Sequence, residues 1–364
     1  MLPHPPPDSE HKSQQKPVEQ HKSKKNLQIE GLRAIGLIIV LLFHFLCWRG
    51  DFPESSRFLV PMMRGWGLVG VGLFFIISGY FLFPVSPPHK REFAVLPYLY
   101  SKLKQWWIPW ALSVCIIWGI LRTGVKPEWI PSVKELIYNI AGIQYFFSAR
   151  EIEGAHWYMV QLSVFLFLII CVKKIGLRLL YIVPSYFIIC ITFHLFKEHL
   201  HLHNAFFSTL FGCFVHKWNF ITLLMGMCLR QYQGARDKTE KIAYMIYCAL
   251  LCGSLFCFTA SQYYTCQTVI SIIVFYIIFI LCLAKKIKLF ECKPLVYLGS
   301  ISFYVYLMHQ RIGYLVIGHL EASYGTCLSV IIACAVSVLM GIALRWLCLN
   351  TLKILSWIHC RLIG

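Results

Sequence analysis

The sequence predicts an all-α fold: a polytopic membrane bundle of about ten transmembrane helices with both termini in the cytoplasm. Of the 364 residues, 58% are hydrophobic and only 14% are charged, and the mean hydropathy is +0.64. Apolar runs that approach the length of a bilayer span recur along most of the chain. Basic residues gather in alternate connecting segments, which predicts the orientation.

The predicted spans follow one another through short connections, with no internal repeat. They cover residues 29–48, 66–83, 105–121, 157–172, 179–196, 217–229, 242–260, 266–284, 295–310 and 326–347. Before them, residues 1–26 are polar and predict a disordered cytoplasmic tail. Residues 27–350 then form one transmembrane domain, and residues 351–364 form a short C-terminal tail.

Lysine and arginine decide the orientation. With the N-terminus inside, 23 of the 34 lie in inner segments, 10 lie in outer loops, and Arg33 lies within the first span. This asymmetry predicts cytoplasmic termini. It also explains the net charge of +18 without nucleic acid as a partner, because the basic residues are spread over short loops.

The first span carries two side chains that are unusual in a membrane helix, Arg33 and His44. A charged residue at the centre of such a helix costs roughly 2.5–3.5 kcal/mol on insertion scales, so it usually has a partner or a function. Eleven residues make three turns plus about 20°, which places both on one face about 16 Å apart. This face could line a polar cavity. Alternatively, Arg33 pairs with Glu30 at the membrane surface and His44 is a core histidine bonded to a backbone carbonyl.

Four motifs, in order along residues 27–345, resemble the membrane-bound acyltransferase-3 family. The first is EGLR at residues 30–33, followed by His44. The others are residues 74–80 (FFIISGY), 156–159 (HWYM) and 298–309 (LGSISFYVYLMH). The ordered set is more specific than any one motif.

The resemblance implies an integral membrane O-acyltransferase of the bacterial cytoplasmic (inner) membrane. Its donor is expected to be cytoplasmic acyl-CoA, most simply acetyl-CoA. Its acceptor is expected to be a hydroxyl group of a cell-surface polysaccharide or of a lipid-linked glycan precursor. The sequence leaves the acceptor position, the acyl length and the oligomeric state open.

His44 is the predicted catalytic base, because neutral imidazole can take a proton from the acceptor hydroxyl. A covalent acyl-imidazole is the alternative route. Arg33, together with Lys102 and Lys104, is expected to bind the anionic donor. Family members often carry Arg-x-x-Arg before the proline of the third span, but here two lysines precede Pro109. Lysine lacks the guanidinium fork, which leaves the phosphate geometry open.

Ser78, Trp157 and Tyr158 are the candidate substrate-binding residues. Ser78 follows a glycine-rich run that equally indicates close helix packing. A Ser78–His44 nucleophile–base pair would lack an acidic orienting group. Trp157 and Tyr158 are also explained as interfacial anchors, and we interpret His309 as an interfacial histidine at the end of the ninth span.

Two other features have simpler explanations than a special site. Histidines recur between residues 194 and 203, but no further ligands accompany them except Glu198, so we expect a polar outer loop and no metal. Proline and an amphipathic pattern mark residues 122–155, which we interpret as an interfacial helix or a lid.

Proteins of two other classes share part of this pattern. Buried charges in a helical bundle also mark the permeation path of a transporter or flippase. Such proteins often have repeated halves with broken helices, which this sequence does not show. The third hypothesis is a sensor or scaffold that kept the fold without catalysis.

Overall fold

The computed structural model describes residues 26–47, 65–83, 94–123, 130–196, 218–258 and 265–363. Every regular element in these ranges is a helix, which confirms the all-α fold class. Five of the described helical segments are long and apolar enough to cross a membrane, and two shorter ones are also apolar. The count of ten spans and the cytoplasmic termini stay predictions. The predicted tail, residues 1–26, lies outside the described residues except for Asn26.

Twelve α-helices are described, numbered here in chain order. They are α1 Leu27–Leu46, α2 Trp66–Leu82, α3 Val95–Lys102, α4 Ile108–Arg122, α5 Val133–Ala141, α6 Trp157–Lys174, α7 Leu179–Phe196, α8 Asn219–Gly234, α9 Lys238–Ser254, α10 Cys266–Leu283, α11 Lys293–Tyr306 and α12 His309–Ile363. A π-helical turn, Leu103–Trp107, joins α3 to α4. Short 3₁₀ turns occur at Gln144–Phe147, Gly154–His156, Leu255–Phe258 and Lys288–Glu291.

The last part of the chain differs from the prediction. The predicted ninth span, 295–310, ends early because α11 stops at Tyr306 and α12 begins at His309. Residues predicted as the following loop are helical up to Gly325, where φ is +75°, a value that favours glycine. Gly325 is a kink between two helical segments of α12, and the second segment continues to Ile363, through the predicted C-terminal tail.

The first helix, α1, lies at the centre of the bundle. It packs against α2, α10, α11 and α12, and most of its residues are buried. Its start is fixed by Asn26, whose side chain accepts the Gln28 N–H and donates to the Cys282 carbonyl at 2.9 Å. This capping removes unsatisfied groups at the helix end.

Glycines allow the central helices to approach closely. A methyl group at Gly299 on α11 would collide with the Glu30 carbonyl of α1, and one at Gly79 on α2 would collide with the Leu223 carbonyl of α8. Close packing therefore accounts for glycine beside Ser78. Peripheral helices instead expose large apolar side chains, including Ile246, Ile270 and Trp346, as lipid-facing helices do.

Candidate active site

The central helix α1 carries Arg33 and His44, and both side chains are half-buried in an otherwise largely buried helix. The predicted pairing of Arg33 with Glu30 is present, with Nη1 3.7 Å from Oε1. Arg33 nevertheless keeps 33% of its side chain exposed, and its Nε has no hydrogen-bond partner among the described residues. It can therefore still bind an anion.

The hydroxyl groups of Ser78 and Tyr158 are 3.1 Å apart. Tyr158 is the second residue of α6, and its ring packs against Phe75 with centroids 4.6 Å apart. The Tyr158 hydroxyl lies within electrostatic range of the Arg33 guanidinium. We refer to Glu30, Arg33, Ser78 and Tyr158 as the arginine end of the site.

Two buried histidines lie at the junction of α11 and α12, and one of them, His309, contacts His44. The His44 and His309 rings have centroids 5.0 Å apart, and His309 is fully buried. His156, also fully buried, lies at the entrance of α6 and bonds to the connection between α11 and α12. We refer to His44, His156, Tyr306 and His309 as the histidine end. His309 is therefore enclosed by protein and contacts His44, which its interpretation as an interfacial histidine did not include.

Backbone carbonyls fix the tautomers of two of these histidines. His309 Nδ1 donates to the Tyr306 carbonyl at 2.7 Å, and His156 Nε2 donates to the Leu307 carbonyl at 3.1 Å. A carbonyl only accepts, so these nitrogens carry the hydrogen. The other nitrogens, His309 Nε2 and His156 Nδ1, are buried and have no partner in the described part of the chain, as is also true of His44 Nδ1.

The loop before α6 holds the start of α12 in place. Buried Glu153 accepts the Arg311 N–H at 3.0 Å, and Tyr306 donates its hydroxyl to the Ala155 carbonyl at 2.8 Å. Burial raises the pKa of Glu153 to about 8, while the Arg311 N–H and charge oppose this shift. This clamp fixes the position of His309.

Tyr306 joins the two ends of the site. Its ring centroid lies 5.4 Å from that of Tyr158 and 5.3 Å from that of His309. A continuous line of polar and aromatic side chains therefore runs through the bundle from Arg33 to His44. Tyr306 and His156 were not among the predicted site residues, although both lie in the motifs that carry the family resemblance.

The remaining predicted residues, Lys102, Lys104 and Trp157, have packing contacts of their own. The Lys102 ammonium rests on the Tyr98 and Trp106 rings at 5.4 and 5.1 Å, and the Lys104 ammonium lies 4.0 Å from the Tyr100 centroid. Both lysines therefore pack on aromatic rings of their own helical segment. Trp157 is half-buried and packs against the apolar core.

Two other features lie outside the line of side chains from Arg33 to His44, the histidine-rich segment and a cavity. Within the described ranges, no group of three or more His, Cys, Asp or Glu side chains is arranged to hold a metal ion. Most of the histidine-rich segment 194–203 lies outside those ranges, and nothing is described of the His194 side chain. A cavity of about 570 Å³ lies between α6, α8 and α9, lined by Lys173, Arg178, Arg236, Asp237 and Glu240 among others. It includes no residue of either end of the site.

Comparison with known families identifies the family of the chain. A family model described as an acyltransferase domain matches residues 26–346, which include both ends of the site. The chain belongs to the acyltransferase-3 family. It is thus a membrane acyltransferase, and the helices that form the site all fall within or begin within the matched region of the acyltransferase. No curated protein and no solved structure matches the chain.

Proposed function

We propose that this acyltransferase moves an acyl group, most simply acetyl, from cytoplasmic acyl-CoA to a hydroxyl of a surface polysaccharide or lipid-linked glycan in the bacterial cytoplasmic membrane. The observation that carries the proposal is the line of side chains from Arg33 through Tyr158 and Tyr306 to His44. It supplies an anion-binding group at one end and an imidazole at the other.

The donor would extend along this line. Arg33 can contact an anion or a carbonyl through its guanidinium fork, and the Ser78 and Tyr158 hydroxyls offer hydrogen bonds beside it. The helical separation of about 16 Å between Arg33 and His44 suits a long donor whose two parts bind at different ends. Lys102 and Lys104 would then meet the donor before it enters the line.

In the reaction, His44 takes the proton of the acceptor hydroxyl as the oxygen attacks the thioester carbonyl. A carbon–oxygen bond forms, the carbon–sulfur bond breaks, and the CoA thiolate receives the proton from His44. Ser78 bonds to Tyr158, an arrangement that favours binding over the role of a nucleophile activated by His44. An acyl-imidazole on His44 is the alternative, and it differs by a covalent intermediate.

The test is His44→Gln in purified protein, with transfer measured by mass spectrometry of the glycan product. Gln keeps the polarity but cannot take the proton, so we expect transfer to fall at least ~10²-fold with near-normal acyl-CoA binding. His319→Gln is the matched control, because His319 is exposed on α12. Full transfer by His44→Gln would refute the proposed role and favour the transporter or scaffold reading.

Two further measurements identify the acceptor and the route. Surface glycans from cells with and without the protein should differ by the mass of one acetyl group. Wild-type protein incubated with labelled acyl-CoA and no acceptor should carry no covalent label if transfer is direct. A stable label that is absent from His44→Gln would establish the acyl-imidazole route instead.

A further inference from the structure

We propose that His309 is the positioning residue for His44: its Nε2 accepts a hydrogen bond from His44 Nδ1–H as His44 becomes charged. The inference rests on the proposed function, in which His44 is the base. His309 would supply the orienting group for His44, for which no acidic residue was predicted. In serine hydrolases a carboxylate holds the catalytic imidazole in the required tautomer, and here a neutral imidazole would do so.

The contact geometry supports this pairing. The two rings are 5.0 Å apart at their centroids and inclined at 63°, so the edge of one ring faces the other. His44 Nδ1 and His309 Nε2 are both buried and lack a hydrogen-bond partner among the described residues. The two nitrogens do not bond to each other in this structure. They suit one donor and one acceptor, joined after a small rotation of either ring or through a water molecule.

The direction of the hydrogen bond follows from the next contact along the chain. His309 donates Nδ1–H to the Tyr306 carbonyl at 2.7 Å, so in the neutral ring its Nε2 carries the lone pair and can accept. His44 must then donate from Nδ1. The lone pair of neutral His44 is therefore on Nε2, which would take the proton of the acceptor hydroxyl. The order of donation is His44 to His309 to the Tyr306 carbonyl.

This order of donation also determines which histidine holds the proton taken from the acceptor hydroxyl. Two imidazoles at this separation in a buried site do not both become charged, because like charges repel strongly where water is excluded. The proton taken from the acceptor hydroxyl therefore stays on His44 Nε2 until the CoA thiolate receives it. His309 keeps its own Nδ1 hydrogen throughout and stabilises the charged His44.

His156, a buried histidine in the same region, makes contacts that hold elements of the fold together. It bonds to the Leu307 carbonyl and packs at 5.9 Å from the Trp110 ring, so it ties α6 and α4 to the connection before α12. His309 also bonds to a carbonyl, but unlike His156 it contacts the His44 ring, and its Nε2 lacks a hydrogen-bond partner within the described ranges. A structural role alone does not explain this juxtaposition.

The test compares His309→Leu, His309→Asn and His309→Gln in full-length protein in lipid nanodiscs. Asn can replace the Nδ1 donor to Tyr306 but cannot reach the Nε2 position, whereas Gln can place an acceptor there. We expect Leu and Asn to lower kcat about 10- to 100-fold, with the KM for acyl-CoA unchanged and Gln retaining more activity. His319→Leu is the control on the same helix.

A spectroscopic measurement is independent of turnover. In protein labelled with ¹⁵N-histidine, the His44 signals, assigned by their loss in His44→Gln, should show Nδ1–H in the wild type and shift in His309→Asn. Folded His309→Asn with wild-type kcat and unchanged His44 signals would overturn the inference. If the signals shift but His44→Gln retains full transfer, the pairing stands while the proposed function fails.

Discussion

The two ends of the site are built in different ways. At the histidine end, His156 and His309 are fully buried and each is bonded to a backbone carbonyl from the connection between α11 and α12. At the arginine end, Arg33 is one-third exposed, and its ion pair with Glu30 lies within a single helix at 3.7 Å. One end is fixed by tertiary contacts, and the other is free to adapt.

This difference matches the two tasks of an acyl transfer. Proton transfer requires that the base and the hydroxyl be held in a narrow range of distances and angles, which rigid supports provide. A long, charged donor can instead be bound by a flexible side chain, because binding away from the reacting atoms does not require such exact alignment. We therefore expect changes at the histidine end to affect kcat and changes at the arginine end to affect donor affinity.

Arg33→Ala should give the largest change in donor affinity. Loss of charge-assisted hydrogen bonds should weaken acyl-CoA binding about 10- to 100-fold and leave kcat at saturating donor within about threefold. Arg33→Lys should restore only part of the affinity, because the guanidinium fork is absent. Titration of purified protein with acyl-CoA measures the first effect, and initial rates measure the second.

Arg178→Ala is the matched control, because this arginine is exposed and pairs with Glu240 at the separate cavity. It should keep the wild-type donor affinity. If Arg33→Ala binds acyl-CoA as tightly as the wild type, the arginine end has no role in donor binding. If Arg178→Ala weakens binding instead, the donor enters through the cavity.

Hydropathy alone predicted most of the fold. A membrane crossing requires a long apolar run, and each predicted span is helical over most of its length within the described ranges. The break between α11 and α12 was not predictable, because Leu307 and Met308 are apolar and neither glycine nor proline marks the turn. Contacts from Glu153 and His156, distant in the sequence, stabilise it.

Only part of the candidate site was predictable, because several of its contacts join residues that are distant in the sequence. Helical spacing alone placed Arg33 and His44 on one face of α1, because both lie in one helix. The contact between His44 and His309 depends on how α1 and α12 pack, and no local pattern encodes it. The pairing of Ser78 with Tyr158 is likewise a contact between α2 and α6.

Glu153→Ala should have an intermediate effect and tests whether the histidine end is rigid. The substitution removes the acceptor of the partly buried Arg311 backbone N–H, which should lower the free energy of unfolding by about 1–3 kcal/mol. The kcat should also fall, because His309 loses its support, while acyl-CoA affinity should stay unchanged. Thermal denaturation in detergent and steady-state rates measure the two effects.

Glu153→Gln is the control, since its amide oxygen can still accept the Arg311 N–H. It should retain the unfolding temperature and most of kcat. A normal kcat for Glu153→Ala, with the expected loss of stability, would mean that His309 keeps its position without the clamp, and the contrast between the two ends would be weaker than we infer.

The smallest effect is expected further from the histidine end, at Glu135 on α5. Glu135 completes a capping box with Ser132 and accepts Arg150 Nε at 3.0 Å, while Asn139 on the same helix accepts the Ile152 N–H at 3.0 Å. The Arg150 hydrogen bond is the main reason why the pKa of Glu135 falls to about 2. A lowered carboxyl pKa stabilises the fold above pH ~4.5, and this contribution is lost as the pH falls towards 2.

Glu135→Gln should therefore lower the unfolding temperature at pH 7 by no more than about 2 °C, because its partner Arg150 is more than half exposed to water, which screens the ion pair. The difference from the wild type should shrink as the pH falls from about 4.5 towards 2, because the wild-type carboxyl then becomes protonated as well. At pH 7, both kcat and donor affinity should stay at wild-type values. A loss of kcat as large as that of Glu153→Ala would show that α5 supports the histidine end through the Asn139–Ile152 contact. The rigid region would then extend well beyond the loop before α6.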